Sequence, residues 1–272
     1  MTLTHRSTLT RTLRAGATAL CALAALALCG ADAATAAESP QDMLAASDAV
    51  RNPDRPFGLT NTLVEYRNGK QTDTSTLAVY SRADERSGQF RSLIRFLAPA
   101  RDADKLILLS GKDYWFFDPT SKASVRMSPQ ERLLGQASNG DVVTVNLAKD
   151  YLATSAVAEE ITDGERQARQ CHRLRLQAKT ADAAYDHIDM WLESGTNRPV
   201  KARFYADSGK LLKTAYYRHY ELQLGVSRPT ETVIIDGLDP NWVTVMRYSN
   251  LVSRDVPEIW LQRDYLPRFR PE

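Results

Sequence analysis

The sequence predicts a mainly β protein of the α+β class, built on one curled antiparallel sheet of about 10–12 strands that forms an unclosed β-barrel with a small helical lid. Three observations lead to this prediction. Apolar residues alternate with a period of two along most of the chain after Phe57, tight-turn pairs such as Asn68-Gly69 separate the alternating segments, and helical periodicity is confined to short stretches. A sheet of this width must curl, and the few helices are too small to fill the space inside it. The pattern therefore predicts an apolar cavity.

The first 36 residues have the composition of a cleaved secretory signal. Arg6, Arg11 and Arg14 precede an apolar run over residues 15–28, which is shorter than the roughly 20 residues needed to span a bilayer. We expect cleavage near residue 36, a periplasmic location, and a single domain over residues 37–272. Cys29 offers an alternative site of lipidation, but Leu28 directly before it fits a lipobox poorly, so lipidation is not expected.

Net charge and cysteine content narrow the possible functions. The chain has 35 Lys and Arg against 33 Asp and Glu, and removal of residues 1–36 leaves 32 of each. A neutral protein lacks the basic surplus that nucleic-acid binding requires, so no nucleic-acid partner is expected. Cys171 is the one cysteine left after cleavage, which excludes an intramolecular disulfide in the predicted mature chain. We expect its side chain to be a small buried apolar group.

A short amphipathic helix opens the predicted domain. Ser39 is an N-cap residue followed by Pro40 at the first helical position and an acid three residues after the cap. Helical spacing then predicts a helix from Pro40 to about Arg51, which the prolines of residues 52–56 end. Its apolar stripe is predicted to consist of Met43, Ala46, Ser47 and Val50.

The strands of the sheet follow from alternation and turns. The first hairpin joins a strand that begins at Phe57 to the segment 74–81 through Asn68-Gly69. Turns such as Asp163-Gly164 and Asp207-Ser208-Gly209 divide the later strands. The remaining predicted strands are 89–97, 105–110, 113–118, 123–127, 153–162, 165–179, 185–193, 198–206, 211–224, 231–236 and 243–251.

Three later segments have helical character. Residues 129–136 and 141–151 lie between the two groups of strands, and Asn139-Gly140-Asp141 is placed to cap the second segment. Residues 257–262 predict a last short helix. These segments, with the first helix, supply the lid.

The order and spacing of several motifs resemble the outer membrane lipoprotein-sorting (LolA-like) family of periplasmic proteins, including an uncharacterised branch. The resemblance covers residues 39 to about 268. It implies an unclosed β-barrel with a helical lid whose interior receives the acyl chains of a lipoprotein or another lipid. It also implies an inner-membrane exporter and an outer-membrane acceptor as partners. The matching segments are 49–53 (AVRNP), 94–99 (IRFLAP), 113–119 (DYWFFDP), 135–138 (GQAS) with Asp150-Tyr151, 198–201 (RPVK), 208–213 (SGKLLK) and 260–266 (WLQRDYL).

Aromatic and apolar strand residues are the candidate cavity wall. In Tyr114-Trp115-Phe116-Phe117, side chains alternate between the faces of the sheet, so Trp115 and Phe117 share one face. Ordinary core packing would explain either pair of aromatic residues. The predicted ligand-binding wall consists of Leu106, Leu108, Trp115, Phe117, Ile188, Met190 and Leu192.

The alternative sites have weaker support. His172, His187 and His219 with Asp186 and Asp189 could assemble a metal or acid–base site, but they lack ligand spacing, and solvated strand faces explain them better. Among the arginines, Arg91, Arg95, Arg173 and Arg175 could hold a lipid phosphate at a cavity rim, although the outward polar face of a sheet explains them too. We therefore expect neither a metal nor another cofactor, and no catalytic residues.

These observations predict a non-enzymatic carrier or chaperone that moves a lipoprotein or other lipid toward the outer membrane. The alternative is a non-catalytic accessory subunit that docks on an inner-membrane lipid exporter. Lipid hydrolysis has the least support because no nucleophile and base can be named.

The mass of the secreted protein tests the predicted processing. We expect a mature chain that begins near residue 37, because small residues precede that position. Intact-mass spectrometry of the exported protein measures this directly. A diacylglyceryl group on Cys29 would contradict the prediction.

Overall fold

A computed structural model of the protein describes residues 38–270. The predicted signal over residues 1–36, including Cys29, lies outside the described residues. Within residues 38–270, no helix is both long and apolar enough to cross a membrane.

Thirteen of the fifteen strands in the described chain form one antiparallel sheet, in the order β6-β5-β4-β3-β2-β1-β15-β14-β13-β12-β11-β10-β9. Neighbours in this sheet are also neighbours along the chain, except that β1 pairs with β15. The edge strands β6 and β9 do not pair with each other in the described residues, so the barrel is unclosed as predicted. The strands are β1 (Phe57–Arg67), β2 (Lys70–Ala83), β3 (Phe90–Ala98), β4 (Leu106–Ser110), β5 (Asp113–Asp118), β6 (Ala123–Met127), β7 (Arg132–Leu134), β8 (Ala137–Ser138), β9 (Tyr151–Thr162), β10 (Ala168–Ala178), β11 (His187–Glu193), β12 (Pro199–Tyr205), β13 (Leu211–Gln223), β14 (Val226–Asp236) and β15 (Trp242–Ser253).

The sheet is one strand wider than the upper limit of 12 expected from the sequence. The short strands β4, β5 and β6 continue the sheet through regular antiparallel pairing instead of ending it. The predicted hairpin at Asn68-Gly69 is confirmed, and both residues have positive φ angles, 50° and 74°, as a tight hairpin turn between twisted strands requires.

The sheet curls around helix α1 (Pro40–Arg51). Tyr114 on β5 and Tyr151 on β9 come from opposite ends of the strand order, yet they belong to the same buried core as Met43 and Leu44 of the helix. We call this covered side the concave face and the other side the convex face. Most of the apolar core therefore lies on the concave face.

Helix α1 has the predicted bounds and the predicted cap. The side chain of Ser39 accepts a hydrogen bond from the backbone N–H of Asp42 at 3.1 Å, and Pro40 occupies the first turn. The buried stripe differs from the predicted one because Asp48 is buried through its ion pair with Arg51. The buried residues of the helix are Met43, Leu44, Ser47 and Asp48.

Two of the later helix predictions need correction. Residues 129–136 contain strand β7, because Gly135, with φ of 54°, turns the chain back to pair with β8. The predicted helix over residues 141–151 is divided into α2 (Asn139–Val142) and α3 (Leu147–Asp150). The segment between them is held by other bonds: the N–H of Thr144 donates to Ser92 Oγ (3.3 Å) and that of Asn146 to Gln89 Oε1 (2.7 Å).

The chain after β15 crosses the convex face as two 3-10 helices, Glu258–Leu261 and Arg263–Arg268, where the sequence predicted one short helix. Trp260 packs edge-on against Tyr80 of β2, with ring centroids 5.6 Å apart, and against Phe269 at 5.1 Å. This second core covers the outer side of strands β2 to β5.

Replacement of Trp260 tests how firmly this tail is anchored. We expect Trp260→Ala to lower the free energy of unfolding by about 3–5 kcal/mol, because the indole is buried between two other rings. Urea unfolding measures the change. Ile259→Ala is the matched control, since Ile259 is the adjacent residue and is 45% exposed, and it should cost no more than about 0.5 kcal/mol. Equal effects of the two changes would contradict the anchoring role.

Candidate functional site

A two-lobed cavity lies between the concave face and the lid, which we define as helix α1 together with residues 136–150. The lobes have volumes of about 160 and 120 Å³. Arg51, Tyr217 and Tyr248 line both lobes and so mark their junction. An enclosed apolar space of about 150 Å³ accepts a molecule the size of benzene. The two lobes together therefore have room for part of one acyl chain.

The larger lobe is mostly apolar inside and charged at its surface end. Lys112 and Asp182, both more than half exposed, form an ion pair at 2.8 Å there. Burial raises the pKa of Asp150, and a hydrogen bond from Gln89 opposes part of that shift. The apolar lining includes Leu109, Tyr114, Val143, Leu147, Phe204, Ala215, Ile234 and Met246.

The smaller lobe combines apolar and polar walls. Asn61 is 1% exposed, and its Oδ1 atom has no hydrogen-bond partner among the described residues. The guanidinium of Arg228, which is 4% exposed, also lines this lobe. The apolar part of the wall includes Phe57, Leu59, Val79, Val142, Val143 and Leu251.

A buried ion pair joins the lid to the floor of the sheet. Lys213 on β13 pairs with Asp141 of α2, and both side chains are largely buried. Asp141 Oδ1 also accepts a hydrogen bond from Tyr185 at 2.9 Å, and its Oδ2 accepts from the backbone N–H of Ser138 at 2.7 Å. Burial lowers the pKa of Lys213, and the carboxylate of Asp141 opposes that shift. This network fixes the position of α2 over the sheet.

Arg51 forms a second buried pair, with Asp48 of the same helix. Burial is the largest single influence on the pKa of Arg51 and lowers it, but the opposing interactions, led by the carboxylate of Asp48, together outweigh burial, so the pKa of Arg51 is raised. Asp48 in turn accepts a hydrogen bond from the N–H of Ala148 in α3 at 2.8 Å. The Nε of Arg51 is buried without a hydrogen-bond partner in the described chain.

Two tyrosines place hydroxyl groups beside Arg51. Burial raises the pKa of Tyr248 to about 12, and burial likewise raises the pKa of Tyr217. Both therefore stay protonated at neutral pH and can donate a hydrogen bond. The hydroxyl of Tyr248 lies 3.3 Å from Thr232 Oγ1.

The structure places the seven predicted wall residues on two different faces. Ile188, Met190 and Leu192 lie in the concave core, although none of them lines either lobe. The other four residues pack on the convex face under the C-terminal tail, where Arg263 lies 4.1 Å above the ring of Trp115. The concave aromatic pair is instead Tyr114 and Phe116, because the register of β4 with β5 pairs Tyr114 with Leu109. The four convex residues are Leu106, Leu108, Trp115 and Phe117.

The alternative sites are not assembled. Within the described residues, no group of three or more His, Cys, Asp or Glu side chains could hold a metal ion. The ring of His187 bonds Asp186 at 2.8 Å, while Asp189 pairs with Arg175. Cys171 is 1% exposed beside Trp191, as expected, and burial raises the pKa of its thiol to about 11.

The four arginines proposed for a rim also lie away from the cavity. Arg91 pairs with Glu258 of the tail, Arg95 with Asp104 and Arg175 with Asp189. Arg173 is exposed, opposite Trp191 in the register. The arginines of the cavity are Arg51 and Arg228. Arg51 lies in the segment AVRNP that carried the family resemblance, and this was the only signal for it in the sequence.

Fold and site define a class of protein, an unclosed β-barrel with a cavity under a helical lid. A LolA superfamily protein from Nitrosomonas europaea is 30% identical to this chain and superposes with a TM-score of 0.74, over 84% of this chain and 99% of that one. A family model described as an uncharacterized protein matches residues 88–268. The chain therefore belongs to the LolA superfamily, which confirms the resemblance noted in the sequence.

Two more distant structures share the fold. A DUF1329 family protein from Desulfovibrio piger is 20% identical, with a TM-score of 0.69, over 84% of this chain and 97% of that one. An outer membrane lipoprotein-sorting protein domain from Vibrio parahaemolyticus is 18% identical, with a TM-score of 0.67, over 84% of this chain and 98% of that one. No curated protein matches the chain.

The pair of Lys213 and Asp141 can be tested by a double-mutant cycle. We expect Lys213→Met to lower the free energy of unfolding by about 3–5 kcal/mol, because it leaves the carboxylate of Asp141 buried without its counter-ion. The double variant Lys213→Met/Asp141→Leu should recover much of this loss, since it removes both charges. Urea unfolding of the variants, with Asp141→Leu alone, measures the coupling. Additive effects would contradict the buried pair.

Proposed function

We propose that the protein is a periplasmic carrier that binds an acyl chain of a lipoprotein or another lipid in the two-lobed cavity and transfers it toward the outer membrane. The observation that carries the proposal is the position of the cavity, between the apolar concave face and the lid. Membership of the LolA superfamily supports it, as does the shared fold with a domain described as lipoprotein-sorting.

Burial of methylene groups would supply most of the affinity. Each buried methylene contributes about 0.8 kcal/mol, so a chain with ten of them inside gains about 8 kcal/mol before the entropic cost of binding. No covalent step is involved. Release then requires an acceptor that offers the chain a comparably apolar site, and we propose an inner-membrane exporter as donor and an outer-membrane component as acceptor.

Entry of a whole chain requires the lid to move. The lobes as they stand are small, and hydrogen bonds between separate segments hold the lid in place. Gln41 of α1 donates to the carbonyl of Ala148 at 3.1 Å and accepts from the N–H of Ala153 at 2.9 Å. Asn52 donates to the carbonyl of Val145 at 2.9 Å. These half-buried contacts join parts of the lid to one another and to β9, and they can break at small cost compared with the apolar core of the sheet. Movement of α2 away from the sheet must in addition break the buried pair of Lys213 and Asp141.

Filling the larger lobe with a side chain tests the proposal. Ala215 is 2% exposed and lines this lobe from the floor of the sheet, so Ala215→Trp places an indole where the ligand would lie. We expect binding of the apolar dye N-phenyl-1-naphthylamine, followed by fluorescence, to weaken about tenfold or more. Thr214→Trp is the matched control, because Thr214 is the adjacent residue and faces the other side of the sheet, opposite Arg203.

Native mass spectrometry of the freshly purified protein completes the test, since a carrier should retain lipid. The proposal fails if no lipid is retained and neither the dye nor a fatty acid binds the native protein. In that case, retention by a co-expressed inner-membrane exporter would favour the accessory-subunit alternative.

A further inference from the structure

The charges around the smaller lobe do not balance. Three charged residues line it, Arg51, Arg228 and Asp141. Arg51 is paired with Asp48 and Asp141 is paired with Lys213, so these four charges cancel. Arg228 is the remaining cation.

The contacts that the structure gives Arg228 are all with backbone carbonyl oxygens. Its Nη1 donates to Ala49 O at 3.0 Å and Val50 O at 2.7 Å, and its Nε donates to Gln223 O at 3.4 Å. Within residues 38–270, no carboxylate forms an ion pair with it. The first two oxygens belong to the last turn of α1. The helix dipole places roughly half a negative charge at this C-terminal end of the helix. Asp54 is the nearby carboxylate, but it is paired with Arg55 and acts on Arg228 without forming an ion pair. The guanidinium is therefore only partly compensated.

Burial makes this incomplete compensation costly. Arg228 is 4% exposed, and burial lowers its pKa. A buried cation without a full counter-charge is unfavourable in a medium of low polarity. An anion in the adjacent lobe would remove that cost, and a guanidinium binds carboxylate or phosphate oxygens through parallel hydrogen bonds.

Two other residues that line the same lobe carry further hydrogen-bond donors. Arg51 has a buried Nε with no partner in the described chain, and the protonated hydroxyl of Tyr217 lines the lobe as well. Arg51 and Asp141 line the larger lobe as well, and its further charged residues are Lys112 and the acids Asp150 and Asp182. The lining of the larger lobe thus carries one more acid than base, whereas the smaller lobe carries the extra cation Arg228, so the smaller lobe is the one suited to a negatively charged group.

We propose that the smaller lobe binds the anionic group, a carboxylate or a phosphate, of an amphiphile whose hydrocarbon chain lies in the larger lobe, with Arg228 as its principal ligand. The inference rests on the proposed function, since it names the chemical class of the cargo. The hydrocarbon chain of the bound amphiphile passes the junction formed by Arg51, Tyr217 and Tyr248.

Three probes with the same twelve-carbon chain test this: dodecanoate, dodecyl phosphate and dodecan-1-ol. Each displaces N-phenyl-1-naphthylamine from the purified protein in a competition titration. We expect both anions to bind about tenfold or more tightly than the alcohol, as a charge-assisted buried hydrogen bond gives. If dodecyl phosphate binds more tightly than dodecanoate, the anionic group of the natural ligand is a phosphate. If dodecanoate binds more tightly, that group is a carboxylate. Both results support the proposal.

Variants of Arg228 test whether this residue binds the anionic group of the ligand. Arg228→Gln should bring the affinities for the anions close to that for the alcohol. Arg228→Lys should retain part of the preference, because lysine keeps the positive charge but cannot form the parallel hydrogen bonds. Arg173→Gln is the matched control, because it removes one positive charge from an exposed site on the sheet and should leave the preference unchanged. Near-ultraviolet circular dichroism checks that each variant is folded.

The outcomes separate this inference from the proposed function. Equal affinities of the native protein for all three probes would overturn the inference and leave the carrier function intact. A preference for anions that is the same in Arg228→Gln and Arg173→Gln would also overturn it. Failure of the dye and all three probes to bind would instead refute the proposed function.

Discussion

The pairing of β1 with β15 is the constraint on which the rest of the structure depends. It joins Leu63 to Met246 across most of the described chain and fuses two runs of sequential strands into one sheet. Because α1 directly precedes β1, the helix is delivered to the middle of the sheet, and the sheet curls around it. The chain that follows β15 emerges on the other side and covers the convex face of β2 to β5. One long-range pairing thus decides which element becomes lid and which becomes outer cover.

The interior that results is less apolar than a simple lipid-binding cavity would be. Two buried ion pairs, Asp48 with Arg51 and Asp141 with Lys213, lie between lid and sheet. Such pairs add little to stability compared with apolar replacements, but they penalise any arrangement that separates the partners. Asp48 and Arg51 both belong to α1, so of these two pairs it is Asp141 with Lys213 that holds the lid on the sheet in one closed position. Arg51 and the two tyrosines beside it also divide the cavity, because they lie where the two lobes meet.

Much of the fold could be predicted from local patterns. The cap at Ser39, the bounds of α1 and the Asn68-Gly69 hairpin follow from the preferences of single residues and from a period of two, and the structure confirms them. The segment over residues 129–150 could not be predicted in this way. Its chain is held by contacts with distant partners, such as Gly135 packed against Thr244 and Asn146 bonded to Gln89, which override its helical pattern.

The sequence by itself determined that Trp115 and Phe117 share one face and Tyr114 and Phe116 the other, because side chains alternate along a strand. Only the tertiary structure decided which of these faces is concave, since both are apolar and the choice depends on where the helix and the tail pack. The same reason explains why Arg228 was not recognised. Arg228 falls between the predicted strands 211–224 and 231–236, and its burial against the end of α1 arises from contacts between segments 178 residues apart.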